Sequence, residues 1–163
     1  MPNWCFNNVV LRHENIEVID EFEKFLLAHN GENIFSYLRP RPEDQDPNWY
    51  DWNVQNWGTK WDTSVNWKRD GDEIHLTFES AWSPPISLFE YLEQDRWTID
   101  AQYIEEGMGY VGEYTEGADN TYEYDITDVE SINSLPENLI ELGDLRTRHE
   151  EWVEENKDET EVD

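Results

Sequence analysis

Six residues in the second half of the chain spell the glycine pattern GxGxxG, which in many proteins binds the phosphates of a dinucleotide. The pattern runs from Gly107 to Gly112. In dinucleotide-binding folds it follows a strand and opens a helix, whose N-terminus holds the pyrophosphate. Here residues 113–117 are strand and turn formers, and Glu105 and Glu106 would repel a phosphate. We therefore interpret the glycines as part of a hairpin and predict no cofactor.

Side chains that ligate metals or act as nucleophiles are too scattered to suggest a site. The four histidines lie far apart, and Cys5 is the only cysteine, so no zinc spacing exists. Adjacent carboxylates such as Glu105 and Glu106 point to opposite faces of a strand. Ser83 and Ser87 have no evident histidine partner. We predict no metal site and no catalytic residue, and therefore a protein that is not an enzyme.

The segment Asn56-Trp57-Gly58-Thr59-Lys60-Trp61 has the residue types of a small-ligand pocket. It places amide, hydroxyl and ammonium groups between two indoles, and its lysine is one of few cations in the chain. A ligand-binding or catalytic pocket built around this segment would contain Asn3, Asn56, Lys60, Trp82 and Glu105. We favour a simpler interpretation, in which the tryptophans fill the edge of the core and the polar groups cap the loop.

The C-terminal residues are so rich in carboxylates that their charge is a candidate binding determinant. Two rows repeat at four-residue spacing: Glu150, Glu154 and Asp158, and Glu151, Glu155 and Glu159. On a helix each row would space its carboxylates about 6 Å apart along the axis. Like charges at this spacing destabilise an isolated helix, which indicates that the charge itself is needed.

Such rows resemble the phosphates of a nucleic-acid backbone. A mimic of this kind would occupy the basic groove of a host nucleic-acid-binding or defence protein and release counterions from it, so its affinity would fall with salt. We predict that the contact surface consists of Glu150, Glu151, Glu154, Glu155, Tyr122, Glu123 and Asp125. Two alternatives stay open: a solvated tail that maintains solubility, and an acidic surface adapted to high salt.

The composition favours a protein partner with a basic surface over nucleic acid or membrane. The chain has 39 acidic and 11 basic residues, a net charge of −28. Residues 99–163 hold 21 of the acidic residues and only 3 of the basic ones. A field of this sign repels phosphate backbones and anionic lipids. No apolar run is long enough to cross a membrane, no secretory pattern opens the chain, and a single cysteine suits a reducing compartment, so we predict a cytoplasmic location.

Hydrophobic periodicity predicts the elements that position these residues. The predicted strands cover residues 3–13, 63–68, 73–79, 97–105, 107–114 and 121–126, and the predicted helices cover 16–28, 86–94 and, weakly, 135–153. Residues 39–53 are predicted to be a polar loop broken by prolines. This order of elements predicts an α+β, ferredoxin-like fold, that is, a split βαβ antiparallel sheet with helices on one face.

We divide the chain into a ferredoxin-like domain over residues 1–126 and an acidic C-terminal extension over residues 127–163. The extension is predicted to be partly helical with a frayed end. At 163 residues the chain is long enough to bury a core.

Four short stretches, in chain order, resemble one known family. They are Met1-Pro2-Asn3-Trp4-Cys5, Asn56-Trp57-Gly58-Thr59-Lys60-Trp61, Phe78-Glu79-Ser80-Ala81-Trp82-Ser83-Pro84-Pro85 and Tyr103-Ile104-Glu105-Glu106-Gly107. They are similar to the YubB-like ferredoxin-like proteins of plasmids and bacteriophages. The resemblance implies a ferredoxin-like fold and a phage or mobile-element origin, and it implies no activity because the family is of unknown function. With the acidic rows, it leads us to predict a noncatalytic binding protein that inhibits a host protein in the host-cell cytoplasm.

Overall fold

One six-stranded sheet organises the protein. The structure is a computed structural model that describes residues 3–157. Its strands are β1 (Trp4–His13), β2 (Asn66–Asp70), β3 (Glu73–Ala81), β4 (Trp97–Glu105), β5 (Tyr110–Thr115) and β6 (Ala118–Glu123). Its helices are α1 (Ile16–His29), α2 (Ile34–Leu38), α3 (Trp49–Asn56), α4 (Ile86–Glu93), α5 (Val129–Asn133), α6 (Glu137–Gly143) and α7 (Leu145–Glu155), with a 3-10 helix at Glu43–Asn48. The predicted frayed end, with Asp158 and Glu159 of the acidic rows, lies outside the described residues.

The strand order confirms the predicted ferredoxin-like fold. The order across the sheet is β2-β3-β1-β4-β5-β6, and each neighbouring pair is antiparallel. α1 lies between β1 and β2 in the chain, and α4 lies between β3 and β4, so the first four strands of this order form two split βαβ units. β5 and β6 extend the sheet beyond β4 as a meander.

β1 is a central strand, and the alternation of its side chains defines the two faces of the sheet. Its odd-numbered residues from Cys5 to His13 are buried, whereas Trp4, Phe6 and Asn8 are exposed. Successive side chains of a strand point to opposite faces. One face is therefore packed along the whole of β1, and the other is open at the beginning of this strand.

α1 and α4 cover the packed face and supply much of the main core. Their buried side chains are Ile19, Phe22 and Leu26 of α1 and Leu88, Phe89 and Leu92 of α4. Asn15 caps the start of α1, and its side chain accepts a hydrogen bond from the Glu17 N–H at 3.0 Å. As predicted, Asn30 and Gly31 cap the end of this helix, and both have positive φ. A side chain at Gly31 would collide with the Val65 carbonyl.

The C-terminal helices pack on the opposite face, over β4 and β5. Ile104 lies opposite Phe6 in the sheet register, and Val111 lies opposite Ile104, so both side chains point away from the main core. They are buried in a second apolar cluster with Ile132, Leu135, Leu139, Ile140 and Leu145. This second core contains residues from both sides of the predicted boundary between residues 126 and 127.

The prediction of an irregular loop over residues 39–53 is wrong. The segment holds the 3-10 helix and the first turn of α3. Tertiary contacts provide the stability that local sequence preference lacks: the buried Asn53 donates from Nδ2 to the Lys60 carbonyl at 2.8 Å, and Trp52 packs against Trp57 with ring centroids 5.5 Å apart. α5 was not predicted, because five residues are too few to show a helical period.

Removing a buried side chain from the second core should destabilise the protein. Ile140 is 2% exposed, and Ile140→Ala would leave a cavity that lowers the free energy of unfolding by about 2–4 kcal/mol. The matched control is Val153→Ala on α7, at a side chain that is 44% exposed, with an expected change below about 0.5 kcal/mol. Urea denaturation followed by tryptophan fluorescence measures both. Equal effects of the two substitutions would contradict the second core.

Candidate functional site

The polar residues at the end of the central strands form one buried network. The register places Cys5 opposite Ser80 on β3 and opposite Glu105 on β4. Asn7 donates from Nδ2 to Ser80 Oγ at 2.8 Å and to the Cys5 carbonyl at 3.0 Å. Ser80 Oγ donates in turn to the Ser83 carbonyl at 2.7 Å. These bonds join β1 and β3 to the loop that leads into α4.

Glu105 is fully buried, and the backbone uses both of its carboxylate oxygens. Oε1 accepts from the Gly107 N–H at 2.7 Å, and Oε2 accepts from the Met108 N–H at 3.0 Å. These bonds hold the turn between β4 and β5. Burial of a carboxylate is unfavourable unless hydrogen bonds replace its lost hydration, and the two amides provide them. The geometry therefore gives this predicted pocket residue a structural role.

Cys5 lies beside Glu105 and is a poor nucleophile. Burial raises the pKa of its thiol to about 12, and the charge of Glu105 acts in the same direction. The reactive thiolate is therefore scarce at neutral pH. Tyr110 lies nearby and donates from its hydroxyl to the Trp82 carbonyl at 2.6 Å, and burial raises the pKa of this phenol as well.

The remaining predicted pocket residues converge only in part. Asn3 and Glu105 line one cavity of about 310 Å³, and the Trp82 N–H donates to the Asn3 carbonyl at 2.8 Å. Asn56 and Lys60 do not line that cavity. Asn56 Nδ2 donates to the carbonyl of Trp52 at 2.9 Å, and the Lys60 ammonium lies 4.5 Å from the Trp61 ring centroid. Trp57, in the same segment, is buried in the main core, as the simpler interpretation predicts, whereas Trp61 is exposed.

The GxGxxG residues form a hairpin, as expected. Gly107 lies in the turn after β4, and Gly112 lies within β5. Position 112 requires glycine, because the hydroxyl of Tyr103 occupies the space that a side chain there would need. The residues after the glycines continue as strand, so they do not offer a helix N-terminus to a pyrophosphate.

α7 presents the four predicted contact glutamates to solvent. Glu150, Glu151, Glu154 and Glu155 are all exposed. The two arginines of the helix are already paired with carboxylates from other elements: Arg146 with Glu137 and Arg148 with Glu106. Within residues 3–157, no ion pair engages any of the four glutamates.

The predicted contact residues do not form one surface, because Tyr122 and Glu123 point to opposite faces of the sheet. Tyr122 is half-buried against the second core, and the alternation of β6 directs Glu123 to the opposite face of the sheet. Asp125 accepts hydrogen bonds from the Thr127 N–H at 2.9 Å and hydroxyl at 2.7 Å, and these bonds lower its pKa. Asp125 therefore has a local role at the turn before α5.

Two aromatic side chains on the open part of the sheet were not identified as functional candidates from the sequence. Trp4 is 47% exposed and Phe6 is 37% exposed. The Trp4 ring lies beside that of Trp61, with centroids 6.2 Å apart. The alternation of Trp4 and Phe6 with Cys5 and Asn7 is visible in the sequence, but periodicity does not indicate which face is packed.

Residues 3–157 contain neither a cluster of metal-ligating side chains nor a helix that could span a membrane. No group of three or more potential metal-ligating side chains is close enough to hold an ion in this part of the chain. None of its helices combines the length and the apolar character that a membrane span requires.

Comparison with known families identifies the domain. Residues 57–138 match the family described as the ferredoxin-like domain in Api92-like protein. The chain belongs to this family. The Api92-like match covers β2 to β6 together with α4 and α5, and it crosses the predicted boundary between residues 126 and 127. It supports the ferredoxin-like part of the resemblance described above, while the YubB-like name and the phage or plasmid origin stay predictions.

Part of this chain is similar to part of a solved structure, the crystal structure of the protein Api92 from Yersinia pseudotuberculosis. The sequence identity is 26% and the TM-score is 0.37, over 47% of this chain and 30% of that chain. The chain thus spans less than a third of Api92. No match was found among curated proteins.

The role assigned to Glu105 can be tested by an isosteric change. Glu105→Gln replaces one charged acceptor of the turn amides by an amide donor, and we expect it to lower the free energy of unfolding by about 2–3 kcal/mol. Its neighbour Glu106 is exposed, so Glu106→Gln should change this value by less than about 1 kcal/mol. Chemical denaturation compares the two variants, and equal stability would show that the turn does not depend on the buried carboxylate.

The thiol of Cys5 should be nearly inert in the folded protein. Its pKa rises from an ordinary 9.0 to about 12, so we expect alkylation by iodoacetamide at pH 8 to be about a thousandfold slower than in the urea-unfolded chain. Mass spectrometry of timed samples measures both rates. A difference below about tenfold would mean that the thiol is accessible and ionised.

Proposed function

We propose that this Api92-like chain is a noncatalytic binding protein whose α7 contacts a basic surface on a partner protein. The observation that carries the proposal is the common exposure of Glu150, Glu151, Glu154 and Glu155 on one helix. Their four-residue spacing gives two parallel rows of carboxylates along the helix. Among residues 3–157, these carboxylates have no ion pair that lysine and arginine side chains of a partner would need to break.

The attachment of α7 to the sheet supports the proposal. Leu145 is buried in the second core, Arg148 Nη1 lies 3.1 Å from Glu106 Oε1, and His149 Nδ1 lies 2.6 Å from the Ile126 carbonyl. A surface that is already ordered loses less conformational entropy on binding than a flexible segment does. This packing favours a binding role of α7 over that of a flexible tail that serves only solubility.

The partner class that fits is a host protein that binds nucleic acid, including a defence protein, because the carboxylate rows would imitate phosphates. We extend the proposal to a YubB-like, phage or plasmid origin and to inhibition of this partner in the host cytoplasm. Direct binding to DNA or RNA is unfavourable for a chain with a net charge of −28.

The small-ligand or enzymatic alternative has less support from the geometry. Both oxygens of Glu105 are used by turn amides, and the Nδ2 of Asn56 is used by the carbonyl of Trp52. Cys5 is buried and its thiol is protonated at neutral pH. These groups are therefore occupied in holding the fold.

The proposal can be tested by comparing two variants that lose the same number of negative charges, one on α7 and the other elsewhere on the protein. In the α7 variant, Glu150, Glu151, Glu154 and Glu155 become glutamine. In the control variant the substituted residues are four exposed glutamates outside the C-terminal helices: Glu14, Glu17, Glu32 and Glu43. Tagged proteins are used to isolate the partner from native cells, and its affinity is then measured with purified components.

We expect the α7 variant to bind the isolated partner at least about tenfold more weakly, and the control variant to bind within about twofold of the wild type. The wild type should also displace a labelled nucleic acid from the partner, with an affinity that falls steeply from about 50 to about 200 mM salt. Equal losses in both variants would indicate a general charge effect, as a solubility or salt adaptation implies, and would contradict the proposed contact.

A further inference from the structure

A cavity of about 780 Å³ lies on the open face of the sheet, where the loop before β2 passes the end of β3. Trp4 and Phe6 form its aromatic wall. Both side chains are exposed, although large aromatic side chains are mostly buried in folded proteins. Trp4 and Phe6 also line the cavity of about 310 Å³ on their other side, so the two rings form a ridge between two depressions.

The charged residues that line the larger cavity are both acidic. Asp62 is engaged by the fold, because its carboxylate accepts from the N–H groups of Phe35 at 2.8 Å and Ser36 at 2.9 Å. Glu79 is exposed, it lines both depressions, and no side-chain hydrogen bond or ion pair engages it among residues 3–157. The site therefore combines an aromatic wall with an available carboxylate and lacks a basic lining residue from the described part of the chain.

Such a combination is complementary to a flat cation. A guanidinium group stacks on aromatic faces and forms two parallel hydrogen bonds with a carboxylate. The chain's own cations already lie against aromatic rings: Arg39 lies 4.2 Å from the ring centroid of Tyr91, and Lys60 lies 4.5 Å from that of Trp61. The amide side chains of Asn30, Asn33 and Asn66, which also line the cavity, would accept from the remaining N–H groups.

We infer that this cavity binds an arginine side chain of a partner protein, stacked on Trp4 and paired with Glu79. The site uses residues of β1 and β3 and goes beyond the proposed function, since it does not require the glutamates of α7.

Nuclear magnetic resonance on the full chain tests the inference. The probe is the blocked peptide acetyl-Gly-Arg-Gly-amide, and the neutral analogue with citrulline in place of arginine is the matched control ligand. We expect saturable shifts of the indole N–H signals of Trp4 and Trp61, with affinity for the arginine peptide at least fivefold higher than for the citrulline peptide. Equal affinity for the two peptides, or unmoved signals of both indoles, would overturn the inference.

Four single substitutions locate the site. Trp4→Ala should abolish saturable binding, and the isosteric Glu79→Gln should weaken it at least fivefold, which keeps the test valid if Trp4→Ala fails to fold. Two further substitutions are matched controls: Glu90→Gln removes the same charge from α4, and Trp49→Ala removes an exposed indole from α3. Both control variants should bind the arginine peptide within twofold of the wild type. Equal weakening by Glu79→Gln and Glu90→Gln would show a general field effect and refute the site.

The variant with four glutamines on α7 separates this inference from the proposed function. We expect it to bind the arginine peptide within about twofold of the wild type even where it loses the isolated partner. Loss of peptide binding in that variant would refute the inference, because the peptide would then be bound by α7.

Discussion

The pairing of β1 with β3 on one side and with β4 on the other determines which residues of this protein are available to a partner. In the observed register, Val9 and Leu11 point into the main core, while Trp4 and Phe6 point to the open face. A shift by one residue would exchange these two sets. The buried hydrogen bond from Asn7 to Ser80 favours the observed register, because a shift by one residue would break it.

The acidic residues of the chain serve two separable purposes. Some are internal acceptors: Glu105 holds the β4–β5 turn, and Asp62 accepts from the first backbone amides of α2. Their pairing with N–H groups is local and geometrically specific. Others, such as the glutamates of α7, lie at the surface without an ion pair from residues 3–157, where they contribute to a long-range field that favours a basic partner. Net charge alone does not separate the two groups.

The two proposed contacts lie on the same face of the sheet. The C-terminal helices cover Ile104 and Val111 on the face to which Trp4 and Phe6 also point. Glu106 connects the two regions, since it lines the smaller cavity beside Trp4 and Phe6 and pairs with Arg148 of α7. Under both proposals, a single basic partner that approached this face would contact the carboxylate rows and place an arginine against Trp4. The opposite face is covered by α1 and α4 and is occupied by the main core.

The local pattern of apolar and polar residues predicts much of the secondary structure of this protein. The alternation of residues 97–105 predicts β4, the period of residues 16–28 predicts α1 to within one residue, and their order predicts a ferredoxin-like sheet. The excess of carboxylates can also be derived from the sequence, as can a weak C-terminal helix that contains Glu150 and Glu151. The helix α7 extends beyond the predicted end at residue 153 and also includes Glu154 and Glu155. Tertiary structure alone decided that Trp4 and Phe6 are exposed, that α3 forms in a proline-rich segment, and that Glu105 faces turn amides instead of a ligand. It also decided that residues 129–155 pack on the second face. The physical reason is that periodicity records only which residues share a face, whereas burial depends on contacts between residues far apart in the chain, such as Ile104 with Ile140.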